Sequence, residues 1–259
     1  MLSAVQDAKE KTGAVIAAAK SLKKSLMRHL FTYGPVPAGA AESVPLAETE
    51  IGLVPEGWEV VRLGEVTGGT QYGLSLRGNQ QGRYPILRMS NLIDGRVKTS
   101  DLQYVDLDED GFTKFRLNEG DILFNRTNSF ELVGKTALFC LCDDFVFASY
   151  LIRVVPDTAS LVPEYLNYYL NWDTSQIRLK TLASRGVSQS NINATKLRGF
   201  SIPRPPLPIQ QKIADILSTI DKKIESEENK NKAIDELFKS LLHNLMTAKI
   251  RVNHLEMTQ

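Results

Sequence analysis

Histidine and cysteine are scarce in this 259-residue chain, three and two respectively, and the shortage removes whole classes of chemistry. His29, His243 and His254 all fall in terminal segments that read as helix or tail. The globular-looking middle therefore lacks the commonest general base. Cys140 and Cys142 are too few and too close for a disulfide framework or a zinc site. They read as buried free thiols in a strand. Long apolar runs are missing as well: nothing approaches a membrane span, and the N-terminus has no apolar signal-peptide core. The expectation is a cytoplasmic protein without membrane attachment. Net charge is only +1, so no strong field over the whole chain announces a polyanionic partner.

Catalytic motifs are wanting too. "VGKT" at Val133–Thr136 matches the end of a phosphate-binding loop, but Ser129 stands where that loop needs its first glycine. There is no Gly-x-Ser-x-Gly elbow. The clustered carboxylates of a two-metal nuclease and the Asn-Pro-Pro-aromatic motif of a methyltransferase are also absent. The chain is expected not to be an enzyme, and to hold no metal or cofactor of its own.

What the sequence does have is a repeat. "SLKKSLMRHLFTYG" at Ser21–Gly34 and "ELFKSLLHNLMTAK" at Glu236–Lys249 share Leu, Lys, Ser, Leu, Leu and Thr at one constant offset. Apolar residues in both segments recur at alternating steps of three and four, the spacing of a coiled-coil seam. Val5, Leu22 and Leu26 fall on the first seam. Ile213, Ile220, Ile234, Leu237 and Leu241 fall on the second, continued by Leu242 and Leu245. A helix from Leu207 to Lys249 would be roughly 60 Å long and would need a partner to cover its apolar stripe. The repeated helix supplies one.

Between the helices the texture changes. Residues 35–50 are a Pro- and Ala-rich linker without periodicity. Residues 51–206 carry short β-rich runs such as "WEVVRL", "YPILRM", "DILFN" and "FASYLIRVV", with one helix at "PEYLNYYLN" opening on Pro163. The expected organisation is a helix over 1–34, the linker, a domain over 51–206, a long helix over 207–250 and a tail over 251–259. The expected fold class is α+β: one mixed α/β domain plus long antiparallel coiled-coil helices.

Four passages in order carry a family resemblance. They are "IGLVPEGWEVVRLGEV" (Ile51–Val66), "GDILFNRTNSFELVGKTALF" (Gly120–Phe139), "SQSNINATKLRGFSIPRPPLPIQQKIADIL" (Ser188–Leu217) and "NKAIDELFKSLLHNLMTAKIRV" (Asn231–Val252). Together they resemble the specificity (S) subunits of type I restriction–modification systems, with one target-recognition domain where such subunits usually carry two. The resemblance implies a non-catalytic subunit that directs methyltransferase and restriction subunits to a bipartite site on double-stranded DNA. It also implies S-adenosylmethionine only on the partner methyltransferase. A homodimer reading an inverted repeat is expected, because the end of the long helix would otherwise leave Leu241, Leu242 and Leu245 exposed. The competing expectation is a coiled-coil scaffold whose domain binds another protein.

Base edges are read by side chains on loops that can enter a groove, with Arg suited to guanine and Asn or Gln to adenine. Three polar stretches fit. One holds Asn125, Arg126, Thr127 and Asn128; a second holds Arg185, Ser188, Gln189, Ser190 and Asn191; a third holds Arg77 and Arg83.

Overall fold

The structure is a computed structural model, and it describes residues 2–186 and 189–247. In chain order the elements are α1 (Leu2–Tyr33), β1 (Leu46–Thr49), β2 (Gly52–Pro55), β3 (Glu59–Arg62), β4 (Thr67–Tyr72), β5 (Tyr84–Leu87), β6 (Leu92–Ile93), β7 (Gly95–Val97) and β8 (Gln103–Val105). There follow α2 (Glu109–Phe115), β9 (Ile122–Asn125), β10 (Thr127–Asn128), β11 (Thr136–Leu138), β12 (Val146–Phe147), β13 (Leu151–Pro156), α3 (Pro163–Asn171) and α4 (Asp173–Thr181). The last elements among the described residues are β14 (Ser184–Arg185), β15 (Ser190–Asn191), α5 (Ala194–Arg198), β16 (Ser201–Arg204) and α6 (Leu207–Met246). These fall into two compact units, Met1–Leu26 with Ile216–Gln259, and Met27–Asp215.

The larger unit is built on a six-stranded sheet of order β4-β13-β9-β11-β7-β6. All its pairs are antiparallel except β11 with β7. Strand composition follows position. All four residues of "ILFN" in central β9 are buried, so the run shows no alternation. Near the edge, β13 mixes buried and half-buried residues, with Arg153 and Val155 turned toward the wetter side. Leu87, Leu123, Phe139, Phe147 and Leu151 join in one apolar cluster of the core. Short β3 pairs antiparallel with β16, so the segments that enter and leave the domain meet.

One face of α3 is polar and still packs on the sheet. Asn167 and Asn171, one turn apart, both reach Thr136 on β11: its hydroxyl donates to Asn167 Oδ1 (3.1 Å) and accepts from Asn171 Nδ2 (2.6 Å). Asn167 Nδ2 also donates to the Gly95 carbonyl (2.9 Å). Gly95 has φ +80°, and a Cβ there would lie 3.3 Å from both amide nitrogens, so only glycine lets the two elements close up. The aromatic side of α3 takes the end of α1, where Phe31 meets Tyr165 and Tyr169 edge-on.

The cysteine expectation is corrected. Cys140 and Cys142 are both exposed, beyond the end of β11 rather than inside a strand.

The long antiparallel coiled coil of the expected fold class is overturned as well. In the smaller unit the anticipated seam is not a buried stripe. Leu22 is 50% exposed, Leu237 51% and Leu242 40%. Val5, Leu26, Ile220, Ile234, Leu241 and Leu245 are only half-buried, and the fully buried Ile213 belongs to the other unit. Leu217 and Ile224 are buried in this unit, and polar groups share the inward positions with them. Thr12 is buried with its hydroxyl returned to the Ala8 carbonyl, and Asp221 is buried against Lys23 Nζ at 2.7 Å. Further ion pairs join Lys20 to Glu228 and Lys9 to Asp235. A coiled coil needs an apolar knob at each seam position, and these charges break that rule.

Asp235 gives a pH signature. Hydrogen bonds from Lys239 (2.7 Å) and then Lys9 lower its pKa from 3.8 to about 2. A carboxyl whose folded pKa is depressed contributes stability above its unfolded pKa and loses it as pH falls through the folded one. The Asp235 carboxyl resonance is therefore expected to titrate near pH 2, with its share of stability disappearing between 3.8 and about 2. A midpoint at the ordinary value would show that neither lysine engages it.

Candidate nucleic-acid interface

Two of the three polar stretches come together. β10 pairs antiparallel with β15, Thr127 opposite Asn191 and Asn128 opposite Ser190, and β14 adds a third strand through Ser184 and Arg185. Local chemistry explains the join. The Arg126 carbonyl accepts from Ile192 N–H (2.9 Å), Gly186 N–H turns back onto the Gln189 carbonyl (2.8 Å), and Asn191 Nδ2 donates to Thr127 Oγ1 (2.7 Å). A small three-stranded patch thus rises beside the main sheet.

Within it the residues divide. Asn125 is buried, and its Nδ2 donates to the Leu132 carbonyl at 3.3 Å, pinning the 129–135 turn. Thr127 and Ser190 are buried too. Asn128 is half-buried, its amide directed at Met89 Sδ (3.2 Å) and its carbonyl oxygen at Ser129 N–H (2.8 Å). Gln189 is exposed and Asn191 half-buried. Arg185 is placed by its backbone pairing with Ser190, and Ser188 lies outside the described residues.

Arg126 is the most constrained cation of the group. Its guanidinium stacks over the Tyr72 ring with its carbon 4.9 Å from the ring centre, and Nη1 donates to the Ser149 carbonyl (3.3 Å). Tyr72 and Tyr150 beside it are 43% and 45% exposed. Neither tyrosine figures among the candidates read from the sequence. Tyr72 ends a strand whose glycines hide any pattern, and Tyr150 sits inside a run that reads as core strand.

The domain that carries this polar patch matches a known family. A family model described as the type I restriction modification DNA specificity domain covers residues 55–236. The chain belongs to the type I DNA specificity family. Over 203 residues it is 34% identical to a protein named as the MjaX type I restriction enzyme specificity subunit of Methanocaldococcus jannaschii, covering 77% of this chain and 48% of that one. Over 241 residues it is 28% identical to the MjaVIII specificity subunit of the same organism, covering 90% and 54%. The chain spans about half the length of these curated relatives. The fold is shared with the type I S subunit of M. genitalium, with a TM-score of 0.62 at 14% identity over 93% of this chain and 57% of that one. It is shared also with the HsdS subunit of Thermoanaerobacter tengcongensis, with a TM-score of 0.53 at 18% identity over 94% and 54%.

On this specificity domain the third polar stretch lies apart from the patch. Arg83 is exposed with its guanidinium carbon 5.0 Å from the Tyr84 ring centre, in an open cleft that also holds Glu109 and Asp144. Asp106 accepts the Arg83 backbone N–H at 2.9 Å. Those carboxylates make the cleft a poor seat for a phosphate. Arg77 is exposed on the neighbouring loop. Among the described residues, no group of three or more His, Cys, Asp or Glu could hold a metal ion, and no helix is long and apolar enough to cross a membrane.

Proposed function

We propose that this chain is a non-catalytic DNA-recognition subunit. Its target-recognition domain, residues 51–206, reads one half of a bipartite site and directs modification and restriction subunits to it. The observation that carries the reading is the β10–β15 join, which brings polar residues distant in sequence together in a DNA specificity domain, with Gln189 exposed and Arg126, Asn128 and Asn191 half-buried. Phosphate contacts would supply affinity and the patch would supply choice. S-adenosylmethionine would be held by the methyltransferase partner, and the complex would act in the cytoplasm on double-stranded DNA.

Two copies would complete the site. Leu242 (40% exposed) and Met246 (79% exposed), one turn apart, leave apolar surface along the last turns of α6, and a second copy burying the same surface gives a two-fold homodimer. The resulting prediction is one experiment with two readings. The chain is purified with cognate modification subunits, and methylated positions are mapped by sequencing. Methylation confined to one bipartite sequence with identical inverted halves is expected, with none from the chain alone. Methylation at unrelated sequences, or independent of this chain, would remove the recognition role. Unlike halves would remove the homodimer.

A further inference from the structure

We propose that Tyr72 is a positioning residue, holding the Arg126 guanidinium ready to read a guanine edge. This deepens the recognition reading above and rests on it.

Three observations carry it. Tyr72 is held at both ends: its backbone pairs with Ile152 on β13, and its hydroxyl accepts the backbone N–H of Ala194 (2.9 Å) at the start of α5. Arg126 is held through its backbone as well, its N–H donating to the Tyr150 carbonyl (3.0 Å) and its own carbonyl accepting from Ile192. Ring and guanidinium, the one carried by a paired strand and the other by a hydrogen-bonded backbone, then face one another at 4.9 Å. A tyrosine ring attracts a guanidinium over its face, and the stack removes rotamers that a free arginine would have to give up on binding.

The donors of Arg126 are sorted by the same contacts. Nε is buried and has no hydrogen-bond partner. Nη1 spends one hydrogen on the Ser149 carbonyl. The second hydrogen of Nη1 and both of Nη2 make no hydrogen bond among the described residues. Two parallel N–H groups at the end of the fork match guanine O6 and N7 in the major groove. A phosphate also accepts this fork, and a loss confined to one guanine in the test below separates the two.

The test uses the full chain with its modification subunits and the methylated sequence found above. Binding is followed by fluorescence anisotropy on the cognate duplex and on duplexes with each position changed in turn. Four variants are compared with wild type: Arg126→Ala, Tyr72→Leu, Tyr72→Phe and the Arg126→Ala, Tyr72→Leu pair. Arg126→Ala and Tyr72→Leu should each lose about tenfold in discrimination at the same guanine, and the pair should do no worse than either alone. Tyr72→Phe keeps the ring face and should stay within about threefold of wild type. If wild type discriminates and Tyr72→Leu discriminates equally well, or weakens every duplex by one factor, the positioning role is overturned while recognition stands. If wild type binds all duplexes alike, recognition itself falls and this inference with it.

Discussion

Phe31→Ala should lower the free energy of unfolding by about 3–5 kcal/mol, the range for emptying an aromatic site in a packed core. Phe31 is 1% exposed, on the last turn of α1, inside the larger unit. Its ring lies 5.8 Å from Tyr165, 5.3 Å from Tyr169 and 5.4 Å from Trp172, centre to centre. The first two neighbours are buried and rigidly placed: the Tyr165 hydroxyl donates to the Pro203 carbonyl (3.0 Å), and Tyr169 receives Arg178 Nη1 (2.9 Å). Neither can collapse into the vacated space without giving up a hydrogen bond, so most of the cavity should persist. Urea unfolding followed by tryptophan fluorescence measures the loss. Phe31→Leu, which keeps much of the volume, should cost clearly less. A loss below about 1 kcal/mol for the alanine variant would mean that the helix end is not anchored there.

Gln210→Leu should cost roughly 3 kcal/mol although it conserves volume, because three backbone groups lose their partner at once. Gln210 is fully buried in the first turns of α6. Its Oε1 accepts the Val162 N–H (2.8 Å), and its Nε2 donates to the carbonyls of Ser160 (3.0 Å) and Pro205 (2.8 Å). One amide thus ties the turn before α3 to the proline segment before α6. Its neighbour is the control: Gln211 is exposed and bonds only Asp215 Oδ1 (2.9 Å), so Gln211→Leu should stay within about 0.5 kcal/mol of wild type. Equal costs for the two would show that the amide network is not formed.

That pair of glutamines marks the limit of what the sequence shows. "IQQK" assigns both to a helix start, and nothing in the letters says which one is buried. The helix of α3 is legible, because Pro163 can open a helix and the residues after it keep helical spacing. The seam of the terminal helices is not. Periodicity points to Leu22 and Leu237, yet the buried positions are Leu217 and Ile224 together with Thr12 and the Lys23–Asp221 pair, and the polar members leave no hydrophobic trace. In the candidate site, Asn125 reads as a loop donor because asparagine favours turns, while in the fold it is the last residue of a buried strand. Tyr72 is silent in the sequence for a different reason. Its role comes from a tertiary contact with Arg126, and a tyrosine at the end of a strand carries no mark of that.

The join between β10 and β15 has a consequence for how such a protein changes over generations. The strands are two residues long and are held by main-chain bonds, which every amino acid except proline can make. Mutation at the exposed position Gln189 can therefore sample new side chains while the pairing is inherited unchanged. The buried sheet beneath, with β9 wholly apolar apart from Asn125, stays under a separate constraint. If this join reads DNA as proposed above, drift in what is recognised is uncoupled from drift in what keeps the chain folded, so a lineage can move to a new target without first passing through an unstable ancestor.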